Sequence, residues 1–131
     1  MYKYGLIKSE LGNIFGVVWS DKGVCSISSG HITAQEALDN ISKVYPQAVL
    51  GEHSILKLLE EYLLGEKSSF SNINIDYGKA TEFQKRVWET ARLIPYGEVR
   101  TYGELAELVS PGSQRAVGQA LGKNPVPILV P

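Results

Sequence analysis

The sequence predicts an α+β fold, with a small N-terminal antiparallel sheet and helices over residues 1–78 and a helical unit over residues 79–131. Three observations carry this. The first thirty residues are short runs of β-branched and aromatic residues punctuated by turn residues. From Thr33 the apolar residues recur at helical spacing instead. Near the C-terminus, two short helical stretches stand on either side of a four-residue turn.

In chain order, residues 2–8 read as a strand, Ser9-Glu10-Leu11-Gly12 as a turn, 14–19 (Ile-Phe-Gly-Val-Val-Trp) as a second strand, and 24–28 as a third after the turn Ser20-Asp21-Lys22-Gly23. Together they make a short antiparallel meander. Residues 33–44 form a helix with Ala34, Ala37, Leu38, Ile41 and Val44 on one face, a capping box at Thr33 and Glu36, and a stop at Pro46. A second amphipathic helix, 52–64, faces inward through Ile55, Leu58, Leu59, Tyr62 and Leu63 and ends at Gly65. Residues 67–78 read as an extended linker with one strand, 73–75, and hold the expected domain boundary. The next helix starts at Ala80 or Thr81, repeats Phe83, Val87, Ala91 and Ile94, and is broken by Pro95-Tyr96-Gly97. After an extended piece, 98–100, Thr101 caps a helix over 102–108, and a further helix covers 113–123. The turn between them, Val109-Ser110-Pro111-Gly112, has the length of a helix-turn-helix connection. The tail from Asn124 holds three prolines and is otherwise apolar, so it is expected to be extended and buried.

Composition excludes several classes. With 44% hydrophobic and 21% charged residues the chain is ordinary globular protein. No run of about 18 apolar residues exists and Met1–Gly5 does not open an apolar signal core, so no membrane contact and a cytoplasmic location are expected. One cysteine, Cys25, forbids an internal disulfide and reads as a buried, inert thiol in a β-branched stretch. His31 and His53 are isolated, so no metal site is expected, nor any cofactor. The net charge of −1 hides an asymmetry. Residues 1–78 carry 6 basic and 9 acidic side chains (net −3), and residues 79–131 carry 7 basic and 5 acidic (net +2). An anionic partner therefore belongs with the second part.

Three segments in that part carry a resemblance: Thr101-Tyr102-Gly103-Glu104-Leu105-Ala106, Arg115-Ala116-Val117-Gly118-Gln119-Ala120-Leu121, and Asn124-Pro125-Val126-Pro127-Ile128-Leu129-Val130-Pro131. In order and spacing they resemble the DNA-binding domain of O6-alkylguanine-DNA alkyltransferases, as do Phe83-Gln84 through Trp88 and Ile94–Val99 upstream. The resemblance is strong over 80–131 and rests on element order alone over 1–78. The helix-turn-helix connection is one residue shorter than is common in the family. The resemblance implies a ribonuclease H-like N-terminal domain, a winged-helix-like second domain and a monomeric protein. It also implies stoichiometric DNA repair: the protein enters the minor groove of double-stranded DNA, flips an O6-alkylguanine out of the stack and takes the alkyl group onto its own cysteine.

Base flipping costs a few kcal/mol, so the vacancy must be filled and the rotated phosphate held. On the resemblance, Arg115 fills the stack and Tyr102 presses on the phosphate. Ser113, Gln114, Ala116 and Gly118 give the second helix the small face that a narrow minor groove needs, and Gly103, Ser110 and Gln84 complete the DNA contacts. Asn124 resembles the family's hinge asparagine, with a simple C-cap as its bland alternative, and Pro131 delivers the chain to the active site. The family's nucleophilic cysteine follows at once, so residues 1–131 are expected to hold no catalytic residue and to be inactive alone, with Cys25 no substitute. Two other readings stand beside this one. A non-enzymatic alkyltransferase-like protein would bind the same lesions without transfer. A helix-turn-helix transcription regulator would read one sequence through the major groove.

Overall fold

The β-forming runs at the start of the chain become β1 (Lys3–Lys8), β2 (Ile14–Ser20) and β3 (Gly23–His31), paired antiparallel in sequence order. The structure, a computed structural model, describes residues 1–66, 69–93 and 102–130. β3 runs three residues beyond expectation because His31 pairs opposite Ile14 at the far end of β2. A fourth strand, β4 (Val49–Leu50), lies parallel to β1, giving the order β3-β2-β1-β4. The purely antiparallel, three-stranded expectation is corrected here. Two residues show no alternation to read, and β4 exists because Val49 N–H and Gly51 N–H donate to Tyr2 O and Tyr4 O at 3.2 and 3.0 Å.

Both sheet faces are covered. Leu6, Val18 and Cys25 pack with Ile41 of α1 (Ala34–Val44), whereas a Cβ on Gly5 would lie 2.6 Å from Leu56 Cδ1 of α2 (Ser54–Leu63). Gly5 and Leu6 are neighbours in one strand and so point to opposite faces. The two helices therefore sandwich the sheet. This explains why β2 is apolar without alternation, with Val17, Val18 and Trp19 all buried.

The helix caps are partly as expected. Thr33 Oγ1 accepts from Glu36 N at 3.1 Å, but Glu36 Oε2 reaches Ile32 N at 2.8 Å rather than Thr33 N, so the expected box is half formed. α2 begins two residues later than expected, because His53 is its N-cap and its Nδ1 accepts from Ile55 N at 3.0 Å. The His53 ring lies against Trp19, with centroids 5.2 Å apart, and burial holds its pKa below the ordinary 6.5. Such a group binds fewer protons folded than unfolded, so folding gains as pH rises. The gain is complete above 6.5 and is lost as pH falls below it through the depressed folded value. The urea midpoint should therefore drop between pH 7.5 and pH 5 by more in the parent than in His53→Asn, whose amide caps at both pH values. Equal drops would remove His53 from the acid response.

Two compact units are present, Met1–Asp76 and Tyr77–Pro131. The first closes where Val24 N–H donates to Asn74 O and Asp76 N–H donates to Val24 O, both at 2.9 Å. The strand expected at 73–75 is thus one parallel bridge, Ile75 to Val24.

In the second unit, α3 (Glu82–Arg92), α4 (Tyr102–Val109) and α5 (Gln114–Gly122) pack pairwise. Their core is Val87, Trp88, Ala91, Leu105, Ala106, Val117 and Ala120. Thr81 caps α3 with a full box: Gln84 N–H donates to Thr81 Oγ1 at 3.1 Å and Thr81 N–H to Gln84 Oε1 at 3.0 Å. Ile94, the break at 95–97, the extended piece 98–100 and the Thr101 cap lie outside the described residues. The tail is buried through Val126, Leu129 and Val130, yet it is not extended. Val130 N–H turns back to Val126 O at 3.1 Å, which corrects the expectation drawn from its prolines. Among the described residues no helix is long and apolar enough to cross a membrane.

Candidate nucleic-acid interface

The core contacts of α5 decide which side of it is free. Val117 and Ala120 are buried, and Trp88 Nε1 donates to Ala120 O at 2.8 Å. Arg115 precedes Val117 by two residues, about 200° round the helix, so it points away from the core. Gln114, Arg115, Ala116 and Gln119 are exposed and Gly118 is half-buried. The outward surface of α5 is therefore one long cation among small or uncharged groups.

The turn before it, Ser110–Ser113, contains Gly112 at φ +82°, a conformation glycine adopts without strain. That turn brings Ser113 back onto Ser110. Ser113 N–H donates to Ser110 O at 3.2 Å and the Ser113 hydroxyl donates to the same oxygen. Ser113 is the N-cap of α5 by position, but its side chain makes no capping bond. The Ser113 hydroxyl thus gives the first amides of α5 no acceptor, at the helix end where the dipole is positive. The electrostatics are otherwise spare. Lys85 pairs with Glu82 at 3.4 Å and Arg92 with Glu89 at 3.6 Å, whereas Arg115 makes no ion pair among the described residues.

The other expected site residues fall as follows. Tyr102 and Gly103 open α4; Gly103 is half-buried, and the Tyr102 side chain lies outside the described residues, as does Pro131. Ser110 is half-buried at the start of the turn. Gln84 spends its amide oxygen on the α3 cap. Asn124 accepts from Val126 N through Oδ1 and donates to Val130 O through Nδ2, each at 2.9 Å. Cys25 lies in the first unit, buried, with its sulfur 3.7 Å from Gly23 O and 3.8 Å from Asp76 Oδ2. Burial, then the Asp76 charge, pushes its thiol up to about 11. Among the described residues no cluster of His, Cys, Asp or Glu is placed to hold a metal.

Sequence reasoning missed the support of this surface. Trp88 stacks on Tyr77 with centroids 5.4 Å apart, and the Tyr77 hydroxyl donates to Glu89. Burial and the Glu89 partner raise the Tyr77 pKa well above its ordinary value. The available signal was Trp88 itself, since a buried indole N–H needs an acceptor.

The chain is similar to several known proteins. The family model for the DNA-binding domain of 6-O-methylguanine DNA methyltransferase matches residues 82–131. A methylated-DNA–protein-cysteine methyltransferase of Mycolicibacterium paratuberculosis is 46% identical over 87 residues, 66% of this chain and 50% of that protein. The chain thus spans about half the length of the curated relatives it matches. A variant of Mycobacterium tuberculosis OGT superposes with a TM-score of 0.78 at 32% identity, covering 100% of this chain and 76% of that one. A structure of Mycobacterium tuberculosis OGT in complex with DNA superposes with a TM-score of 0.75 at 30% identity, covering 99% and 74%. The chain belongs to the O6-alkylguanine-DNA alkyltransferase family, the methylated-DNA–protein-cysteine methyltransferases.

Proposed function

We propose that the protein repairs DNA by direct reversal. Helix α5 enters the minor groove of a duplex bearing O6-alkylguanine, the damaged base turns out of the stack, and its alkyl group passes irreversibly to the protein's own cysteine immediately after Pro131. In that transfer the thiolate sulfur bonds to the alkyl carbon, and the carbon–O6 bond breaks with its electrons on O6. The guanine anion left behind takes up on N1 the proton that the thiol lost in becoming a thiolate, and guanine is restored.

The observation that carries this reading is the outward face of α5, on which Arg115 stands alone among small or uncharged neighbours. Neutral small groups allow a helix to approach the minor groove, and one planar cation can occupy the place a base vacates. The early amides of α5 suit a phosphate, with Ser113 and Gln114 beside them. Tyr102 and Gly103 at the start of α4 hold the rotated nucleotide's phosphate, supported by Ser110 and by the amide nitrogen of Gln84. Asn124 and Pro131 direct the chain toward the flipped base.

The test uses duplexes carrying O6-methylguanine or guanine, with a fluorescent base analogue opposite the site. Tighter binding to the lesion in any sequence context is expected; preference for one sequence regardless of lesion would favour a transcription regulator. Stacking of a side chain on bases contributes about 1–3 kcal/mol, so Arg115→Ala should reduce flipping roughly tenfold while the far-UV circular dichroism stays unchanged. Flipping at the parent level would remove Arg115 from the stack.

The cationic surface is small, because Lys85 and Arg92 already have acidic partners. With a change of about 0.9 per neutralised phosphate and roughly two to four contacts, the log–log slope of affinity against salt should be about −2 to −4. A slope near −8, at about that same 0.9 per phosphate, would require a far larger basic footprint than this one.

A further inference from the structure

At about 100° and 1.5 Å per residue, Gln119 stands about 40° round α5 from Arg115 and about 6 Å further along its axis. Gly118 and Gly122 lie about 60° and 20° to the other side of Arg115, so all four share one stripe. Arg115, Gln119 and Gly122 are exposed and Gly118 is half-buried. A Cβ on Gly122 would meet nothing within 4 Å, so the space beside Gln119 is open. Among the described residues Gln119 makes no hydrogen bond, whereas the amides of Gln84 and Asn124 are both held within the protein. Gln119 therefore carries the one side chain on this stripe that can both donate and accept.

Every base pair offers acceptors in the minor groove, N3 or O2, and a G·C pair alone adds a donor, the guanine N2 amino group. A carboxamide can meet both, since its nitrogen donates and its oxygen accepts. Arginine, a donor only, gains nothing from that amino group. With α5 along the groove and about 3.4 Å per base pair, a rise of about 6 Å takes Gln119 one to two pairs past the place of Arg115. We propose that Gln119 reads the guanine N2 amino group of a pair one or two steps from the lesion, giving the protein a flanking-sequence preference. This role rests on α5 entering the minor groove as proposed above. Arg115 is the second residue of α5, so the rest of the helix extends from it in one direction. The preference accordingly belongs to one side of the lesion.

The test is equilibrium binding to duplexes with O6-methylguanine or guanine at the centre. The first and second flanking pairs on each side are set in turn to G·C, inosine·C, A·T and 2,6-diaminopurine·T. Inosine removes the amino group from a G·C pair and diaminopurine adds one to an A·T pair, each leaving the major-groove edge unchanged. Both changes also alter pairing strength, but equally for every protein variant. On one side of the lesion, the parent should bind the amino-bearing pair of each set about threefold to tenfold more tightly, the effect of one net hydrogen bond. Gln119→Met keeps the length of the side chain without its amide, and it should abolish that difference, as should Gln119→Ala. Neither should lower the urea midpoint, because both residues are good helix formers and Gln119 is exposed. A parent indifferent to the amino group at every position, a parent that prefers it on both sides, or a Gln119→Met that keeps the preference overturns the inference. Lesion preference without amino-group preference would leave the proposed repair function standing and remove Gln119 from it. An amino-group preference lost in Gln119→Met, with no preference for the lesion, would sink the repair function and leave the reading by Gln119.

Discussion

Trp88→Ala should destabilise the second unit by about 3–5 kcal/mol, the range for truncating a large buried aromatic side chain. Trp88 does more than fill volume. Its ring stacks on Tyr77 before α3, and its Nε1–H reaches Ala120 O inside α5, so one side chain joins three stretches of this unit. Trp88→Phe separates the two contributions. It retains most of the ring but removes the indole donor to Ala120 O, which still accepts from Lys123 N at 3.1 Å, so the cost is that of one hydrogen bond, about 0.5–1.5 kcal/mol. Urea denaturation followed by far-UV circular dichroism should therefore rank parent above Trp88→Phe above Trp88→Ala. If Trp88→Phe matches the parent, the hydrogen bond contributes nothing net and packing alone explains the residue. On the proposed function, DNA affinity should fall with stability, because α5 is the helix that Trp88 holds.

The second large effect is expected at Gly23→Ala. Gly23 has φ +149°, and a Cβ there would lie 2.4 Å from Asn74 O and 2.6 Å from Asn74 C. Both obstacles are backbone, fixed by the bonds that join Val24 to Asn74 and Asp76. The alanine must either push that segment away or distort the start of β3, at a cost on the order of 3 kcal/mol. Gly12→Ala is the control. Gly12 also has positive φ, +91°, but an added Cβ meets nothing within 4 Å, so its cost should be backbone strain alone, about 1 kcal/mol. Equal losses for the two variants would show that residues 72–76 yield freely, and that their docking on β3 contributes little.

How far the sequence could be read differs by physical origin. β1, β2 and β3 were legible because β-branched and aromatic residues between turn residues state a local preference. β4 was not, since its two residues are a strand only through bonds to Tyr2 and Tyr4, far away in the chain. The caps divide in the same way. Thr81 with Gln84 forms the full box, but Glu36 was free to choose between two neighbouring amides and took Ile32 N. In the tail, three prolines suggested extension, yet proline restricts only itself and the residue before it. Ile128 follows Pro127 and is left-handed, and Val130 N–H bonds back to Val126 O. At the candidate interface, the two helices and the exposed side of α5 could be anticipated from spacing. The diversion of the Ser113 hydroxyl to Ser110 O could not, because it depends on the path of the chain through Gly112.

The burial of Cys25 has a practical consequence for measurement. With its thiol pushed up to about 11, roughly one molecule in ten thousand is a thiolate there at pH 7, and only the thiolate reacts with an alkylating reagent. Reagent consumption by Cys25 at neutral pH therefore waits on the opening of the sheet that encloses it. Its labelling rate becomes a clock for the first unit: slow under native conditions, accelerating at constant pH as denaturant loosens β2 and β3. That clock runs on a residue remote in sequence from α4 and α5, so on the proposed function it can time the motions of the first unit with a duplex present.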